Sequence, residues 1–303
     1  MKTNQLGNSK LQVSEIGLGT MSLGTDRAKA IALIHEAIDN GVNFIDTADL
    51  YDFGLNEEIV GEALRGRRDS VILATKGGNH WEEGKEGWFW DPSKQHIKAA
   101  LKDSLRRLKT DHIDLFQLHG GTLEDPIDET IEAFDELKKE GVILEYGISS
   151  IRPNVIREYV KRSSITSVMM QYSILDRRPE EEILDLLHDN NISVIARGPL
   201  AKGMLTDRFE EKVKEDGFLD YSKFEVLETA KQLAELKDDS RNMTQTSLRY
   251  ALAHPAVATV IPGASKSEQL LANLTAQNAP ELTPDEVEKI RQISKENIYD
   301  KHR

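Results

Sequence analysis

Residues 70–80 read "SVILATKGGNH". Residues 71–75 form an unbroken run of apolar and small side chains, the pattern of a strand buried on both faces. Lys76 follows at the mouth of that strand, with two glycines behind it. A lysine in such a place needs a partner or a task.

Similar runs recur on both sides, at 15–19, 42–46, 115–118, 146–149, 167–171, 193–196 and 258–261. With 71–75 they make eight. Most show little alternation, and helical patterns separate them. Asp26 can cap "RAKAIALIHEAIDNG", which ends at Gly41. Asp91-Pro92-Ser93 can open "KQHIKAALKDSLRRL", with proline near the first helical position. "PIDETIEAFDELKKEG" carries acids in its first turn and lysines in its last, matching the helix dipole. Eight strands alternating with helices, spaced by about 25–35 residues, predict an α/β fold of the (β/α)8 TIM-barrel type. "NQLGNSKLQV" (4–13) reads as an N-terminal β-hairpin that plugs the lower mouth. Extra helices are expected in "SKFEVLETAKQLAEL" and, near the C-terminus, in "TPDEVEKIRQIS". No low-complexity linker divides the chain, so residues 1–303 are read as one domain.

Composition narrows the function. The chain has 303 residues and a formal net charge of −13, which argues against a nucleic-acid partner. It has no cysteine, so disulfides, thiolate nucleophiles and Cys-ligated metals are excluded. "MKTNQLGNSK" lacks the apolar core of a signal peptide. No apolar run approaches the roughly 18 residues of a membrane span. A soluble cytoplasmic protein is the expectation. "GLGTMS" (17–22) fails as a dinucleotide fingerprint: Ser22 replaces the third glycine. No H-x-H or H-E-x-x-H occurs, and His80, His112 and His119 lack ligand-type spacing, so no metal site is expected.

Barrel enzymes carry their chemistry at the carboxyl ends of the strands. Here those ends hold Asp46, with Tyr51 in the following loop, then Lys76, His119, Ser149-Ser150, Gln171 and Arg197. Taken singly, each has a plainer reading: a solvated lysine, a turn cap, a packed loop tyrosine, a core histidine. Together they fall on one face of one predicted architecture.

"GVNFIDTADLYDFGLNEEIVGEAL", "ILATKGG", "SLRRLKTDHIDLFQLH", "YGISS", "MMQYSILDRR" and "VIPGASKSEQLLANL" resemble, in order, the signatures of the aldo-keto reductase family. Within it, "ISSIRPNVI", "QYSILDRRPEE" and "RGPLAKGML" look closest to bacterial general-stress reductases. The resemblance implies a (β/α)8 barrel that moves a hydride between a nicotinamide cofactor, usually NADPH, and a carbonyl or alcohol. NADH is the less expected cofactor. It implies a catalytic tetrad of Asp46, Tyr51, Lys76 and His119. A free tyrosine has a pKa near ~10; a nearby ammonium favours the phenolate. Lys76 would then tune Tyr51 as proton donor, Asp46 would balance Lys76, and His119 would orient the carbonyl.

The same resemblance puts Thr20 beside the nicotinamide, Asp46 near its ribose, and Ser149, Ser150 and Gln171 at the carboxamide. Many relatives have an aromatic residue where Arg197 stands; a guanidinium can also stack on a ring, or it can pair with a phosphate or an acidic group. Loop 198–205, with Gly198, Leu200, Lys202 and Gly203, suits a strap over the pyrophosphate. Segment 263–273 suits the rest of the cofactor: Gly263, Ser265 and Lys266 at the 2′-phosphate, Gln269 and Asn273 at the adenine. Trp81, Trp88 and Trp90, in the loop after Lys76, are candidate walls of the substrate pocket. The acids Glu82, Glu83 and Glu86 disfavour a strongly anionic substrate.

Two rivals stand beside this reading. A Schiff-base aldolase would use Lys76 as nucleophile, but it needs a neutral lysine. The family also includes potassium-channel β subunits, so an NADPH-binding redox sensor or regulatory subunit with little turnover is the alternative. Substrate, reaction direction and oligomeric state are not legible.

Overall fold

The computed structural model describes all residues except 83 and 237–239. Eight parallel strands lie in chain order around one sheet: β1 (Leu18–Gly19), β2 (Phe44–Asp46), β3 (Ile72–Gly77), β4 (Ile113–Leu118), β5 (Ile143–Ser149), β6 (Ser167–Gln171), β7 (Ser193–Arg197) and β8 (Val257–Ile261). The first and last strands meet. Gly17 N donates to Val260 O at 2.9 Å and Val260 N to Glu15 O at 3.0 Å, while bridges Ile16–Val260 and Gly19–Gly263 close the barrel. All eight predicted strands are present. The first two are shorter than expected, and β3 runs through Lys76 to Gly77, so the lysine is part of the strand.

Helices alternate with the strands and bury one stripe each. Lys94–Leu108 turns Ile97, Ala100, Leu101 and Leu108 inward; Ile127–Glu140 buries Ile131, Phe134 and Leu137. The N-cap of the former is Ser93, whose side chain accepts from His96 N, so Pro92 precedes the cap and is not in the first turn. Asp26 caps Arg27–Asp39 as expected, by accepting from Lys29 N. The long β7–β8 connection holds Lys223–Glu235 and Met243–Leu252, each opened by a capping box. Pro284–Ile293 follows the barrel.

The hairpin of Thr3–Gln5 and Gln12–Ser14 closes the amino-terminal mouth. Leu6 and Val13 are fully buried and join Phe44, Ala74, Leu115, Met169 and Ile195 in the barrel interior. Gly7 makes the tight approach possible. It has φ of +54°, and a Cβ there would lie 2.2 Å from the Thr166 carbonyl oxygen. A surface cavity of about 760 Å³ also lies at this end, lined in part by Asn4, Gln5, Glu15, Ser193 and Arg249. It holds none of the residues at the carboxyl ends of the strands.

Because Leu6 plugs the barrel far from those ends, Leu6→Ala should cost about 2–5 kcal/mol of stability. Urea unfolding would read this as a lowered midpoint with an unchanged slope.

Candidate active site

The carboxyl ends of β2, β3 and β4 bring four side chains together. Lys76 Nζ is wholly buried and donates to Asp46 Oδ2 at 2.8 Å, to Thr47 O at 2.7 Å and towards Tyr51 Oη at 3.0 Å. The ammonium also sits 4.7 Å from the centroid of the Tyr51 ring. The His119 ring meets Tyr51 edge-on, centroids 5.9 Å apart. The predicted tetrad is thus one cluster.

Burial alone would depress the Lys76 pKa, but the charges and hydrogen bonds of Asp46 and Tyr51 outweigh it and raise the pKa above its ordinary value. The lysine is an ammonium ion. Burial raises the Asp46 pKa, with Lys76 and Gln117 opposing. For half-buried His119, burial comes first, then the positive charges of Lys76 and Arg197; together they push its pKa down to about 3. The imidazole is therefore neutral at pH 7, and its Nδ1 is enclosed without a hydrogen-bond partner among the described residues.

Tyr51 reaches Lys76 by an unusual turn. In Tyr51–Gly54, Asp52 and Phe53 have φ of 48° and 51°, and Gly54 has φ of +87°. Left-handed conformations at non-glycine residues are strained by roughly 1–3 kcal/mol each. Behind the turn lies a polar clamp that the sequence reading missed. Buried Asn56 donates to Thr20 O at 3.0 Å, and its Oδ1 accepts from Thr47 Oγ1 at 2.8 Å. Next to it, fully buried Glu57 accepts from Thr75 Oγ1 at 2.6 Å and from Arg107 Nε at 2.7 Å. The only cue was two polar residues, "NE", opening an apolar helix. Asp49, buried in the same loop, has its pKa raised well above the usual range, first by burial and then by Glu57.

The expected cofactor residues lie at the other strand ends and in the segments that follow them. Thr20 is buried, its hydroxyl 2.9 Å from Asp46 O and 2.5 Å from Asn56 Oδ1, so it braces the floor. Ser149 is half-exposed at the end of β5; the Ser150 hydroxyl turns away and accepts from Arg152 N. Gln171 has its amide orientation set on both sides: Oε1 accepts from Arg197 Nη1 at 3.0 Å, and Nε2 donates to Asp176 Oδ2 at 2.7 Å. Arg178 holds Asp176 through two further bonds and lies over the Tyr299 ring. Arg197 thus hydrogen-bonds an amide and forms no ion pair among the described residues. Burial lowers its pKa, against the pull of Tyr51, Asp176 and Tyr299.

Loop 198–205 is a left-handed strap: Gly198, Ala201, Lys202 and Gly203 all have positive φ. The Leu200 side chain is buried, so this residue can offer a ligand only its backbone. Gly263 is exposed and Lys266 precedes helix Ser267–Leu274, whose start carries no side-chain cap. Free N–H groups and an exposed lysine at a helix start suit a phosphate. Ser265 Oγ donates to Gln269 Oε1 at 3.0 Å, and buried Asn273 donates to Gly263 O at 3.3 Å, bracing this segment.

The three tryptophans separate. Trp81 packs edge-on against Phe53 and under the Arg107 guanidinium. Trp90 donates to Asp125 Oδ1 at 2.9 Å and lies against Gly78 and Gly120, beside His119. Trp88 is 54 % exposed. Glu82 and Glu86 are exposed; Glu83 lies outside the described residues. Folding also brings His80, Asp91 and His96 together. His96 comes from the next helix, which spacing along the chain does not reveal.

A closed (β/α)8 barrel with a buried Lys–Asp–Tyr cluster and a histidine at its carboxyl end defines a class of oxidoreductase. The sequence matches the Aldo/keto reductase family over residues 15–295, and the chain belongs to that family. It is 59 % identical over its whole length to the whole of "Uncharacterized oxidoreductase YqkF" of Bacillus subtilis (strain 168). It is 32 % identical to "NADH-specific methylglyoxal reductase" of Escherichia coli (strain K12), over 92 % of this chain and 94 % of that one. Among solved structures it superposes on the holo form of aldo-keto reductase AKR11C1 from Bacillus halodurans with a TM-score of 0.94, at 56 % identity, covering 100 % and 99 % of the two chains. The apo form of that protein gives 0.85. The protein is an aldo-keto reductase, an enzyme class that uses nicotinamide cofactors.

The low pKa of His119 has a consequence for stability. Between about 3 and 6.5 the unfolded histidine binds a proton that the folded one does not. Stability is therefore lost as pH falls through that window. His119→Gln should lose less stability than wild type between pH ~6.5 and ~4.5, measured by urea titration at both values.

Proposed function

We propose that this protein reduces an aldehyde or ketone carbonyl with NADPH, or oxidises the alcohol in reverse, with Tyr51 as general acid and base. One observation carries the reading: Lys76 Nζ lies 2.8 Å from Asp46 and 3.0 Å from Tyr51 at the carboxyl mouth of the barrel. A reduced nicotinamide, when bound, supplies the hydride. The protein's own residues manage the proton and the geometry. As negative charge develops on the carbonyl oxygen, Tyr51 gives up its phenolic proton. Lys76 holds the resulting phenolate by charge and hydrogen bond, and Asp46 keeps the lysine in place. Neutral His119 can donate a hydrogen bond to the oxygen and orient it without adding charge.

Ser149, Gln171 and Arg197 would hold the nicotinamide end: Gln171 by an amide already oriented, Arg197 by its guanidinium face. The strap 198–205 would hold the pyrophosphate by backbone N–H groups, with Lys202 above it. Ser265 and Lys266 would take the 2′-phosphate, with Gln269 and Asn273 towards the adenine. Lys266 forms no ion pair among the described residues, which leaves its charge available; this supports NADPH over NADH. Trp81 and Trp90 would wall the substrate side. A Schiff-base role for Lys76 is disfavoured, since its raised pKa keeps it protonated.

Loss of reduced-cofactor absorbance with a panel of carbonyls tests the reaction. Tyr51→Phe should lower kcat by about 10²-fold or more while NADPH binding stays within a few-fold. Tight NADPH binding by wild type with no turnover on any carbonyl would favour a redox-sensing role instead. Equal turnover in both proteins would remove Tyr51 from the mechanism. Lys266→Ala should raise KM for NADPH by about tenfold and leave KM for NADH unchanged; initial-rate kinetics with both cofactors would show it.

A further inference from the structure

At the base of the loop that follows β3, three side chains converge that the reductase chemistry does not use. His80 belongs to the two-residue strand Asn79–His80, which pairs antiparallel with Phe89–Trp90. Asp91 follows that second strand, and His96 lies in the first turn of helix Lys94–Leu108. One ligand atom from each lies within 4.8 Å of the others. His80 Nδ1 is 3.7 Å from Asp91 Oδ2. Asp91 is held from the other side, its Oδ1 accepting from Ser93 N at 3.0 Å. Two nitrogens of this group, His80 Nδ1 and His96 Nε2, are enclosed and have no hydrogen-bond partner among the described residues. Enclosed polar nitrogens without partners are uncommon and call for a physical explanation.

We propose that His80, Asp91 and His96 bind a divalent transition-metal ion, with Zn2+ as the reference ion. Two imidazoles and one carboxylate are an N/O donor set suited to zinc and its first-row neighbours, whereas calcium and magnesium take oxygen donors. Bonds of about 2.0–2.1 Å place donor atoms roughly 3.4 Å apart in a tetrahedron. The His80–Asp91 separation is near that value. His96 must come closer, and it must also turn. Its ring is stacked on His80 at 4.7 Å and 17°, so their in-plane lone pairs run side by side and do not converge. Water would complete the coordination. The ion would then tie both strands of the small hairpin to the helix and fix the base of the loop that carries Trp81 and Trp90.

The full-length chain, freed of any histidine tag, should be titrated with Zn2+ in a calorimeter and with Co2+ while visible absorption is followed. The expected result is one saturable ion per chain with a visible Co2+ band. Affinity should fall by about tenfold or more in His96→Gln and in Asp91→Asn, and stay unchanged in His112→Gln. Circular dichroism of each variant guards against a loss of fold, and the two ligand variants guard each other. No saturable binding by wild type, or undiminished binding in folded His96→Gln and Asp91→Asn, would overturn the proposal.

Discussion

An ammonium ion without access to water is the constraint around which the carboxyl end of this barrel is arranged. Lys76 sits inside β3, wholly buried, and its charge is satisfied by the Asp46 carboxylate, the Thr47 carbonyl and the Tyr51 oxygen. Removing one partner of a buried pair leaves an uncompensated charge, at about 3–5 kcal/mol. The neighbouring strands and loops are held accordingly. Thr47 N donates to Ala74 O, Asp49 N to Lys76 O, and His119 N to Gly77 O. These backbone bonds set the loops after β2 and β4 against β3. The same charge that requires this support helps keep His119 neutral.

A second polar layer supports the first. Asn56 ties the floor residue Thr20 to Thr47, next to the carboxylate that balances Lys76. On the other side of the mouth, Arg178 fixes Asp176, Asp176 fixes the amide of Gln171, and Gln171 receives Arg197. Each layer settles the rotamer of a residue that would face cofactor or substrate. Preorganisation of this kind lets a site act without rearranging as charge develops.

The barrel was legible because its strands are buried on both faces, and continuous apolar runs such as 71–75 and 193–196 stand out from helical periodicity. The cluster at the strand ends was legible because the ionisable residues Asp46, Lys76 and His119 close or directly follow such runs, with Tyr51 in the loop after the first. Asn56, Glu57 and Asp176 were not. Asn56 and Glu57 depend on partners tens of residues away, Thr20 and Arg107, Asp176 on a turn that brings Gln171 and Arg178 to it, and nothing local distinguishes the three from surface polar residues. The helix start at Ser93 shows the same limit on a smaller scale: either Asp91 or Ser93 could cap, and the bond to His96 N decides it. The tryptophans illustrate it again. Three in one loop suggested one shared wall, but exposure separates Trp88 from the two that pack.

Arg107 touches more of this site than its position on a surface helix suggests. It pairs with buried Glu57, its guanidinium covers the Trp81 ring, and its side chain occupies the space beside Gly54 that a Cβ would need. Gly54 ends the left-handed turn that delivers Tyr51, and Trp81 begins the aromatic loop. One arginine therefore packs against both the turn that carries Tyr51 and the loop that carries Trp81. The two segments share one packing partner, so a substitution that alters the loop after β3 at Trp81 also alters what the Tyr51 turn rests on.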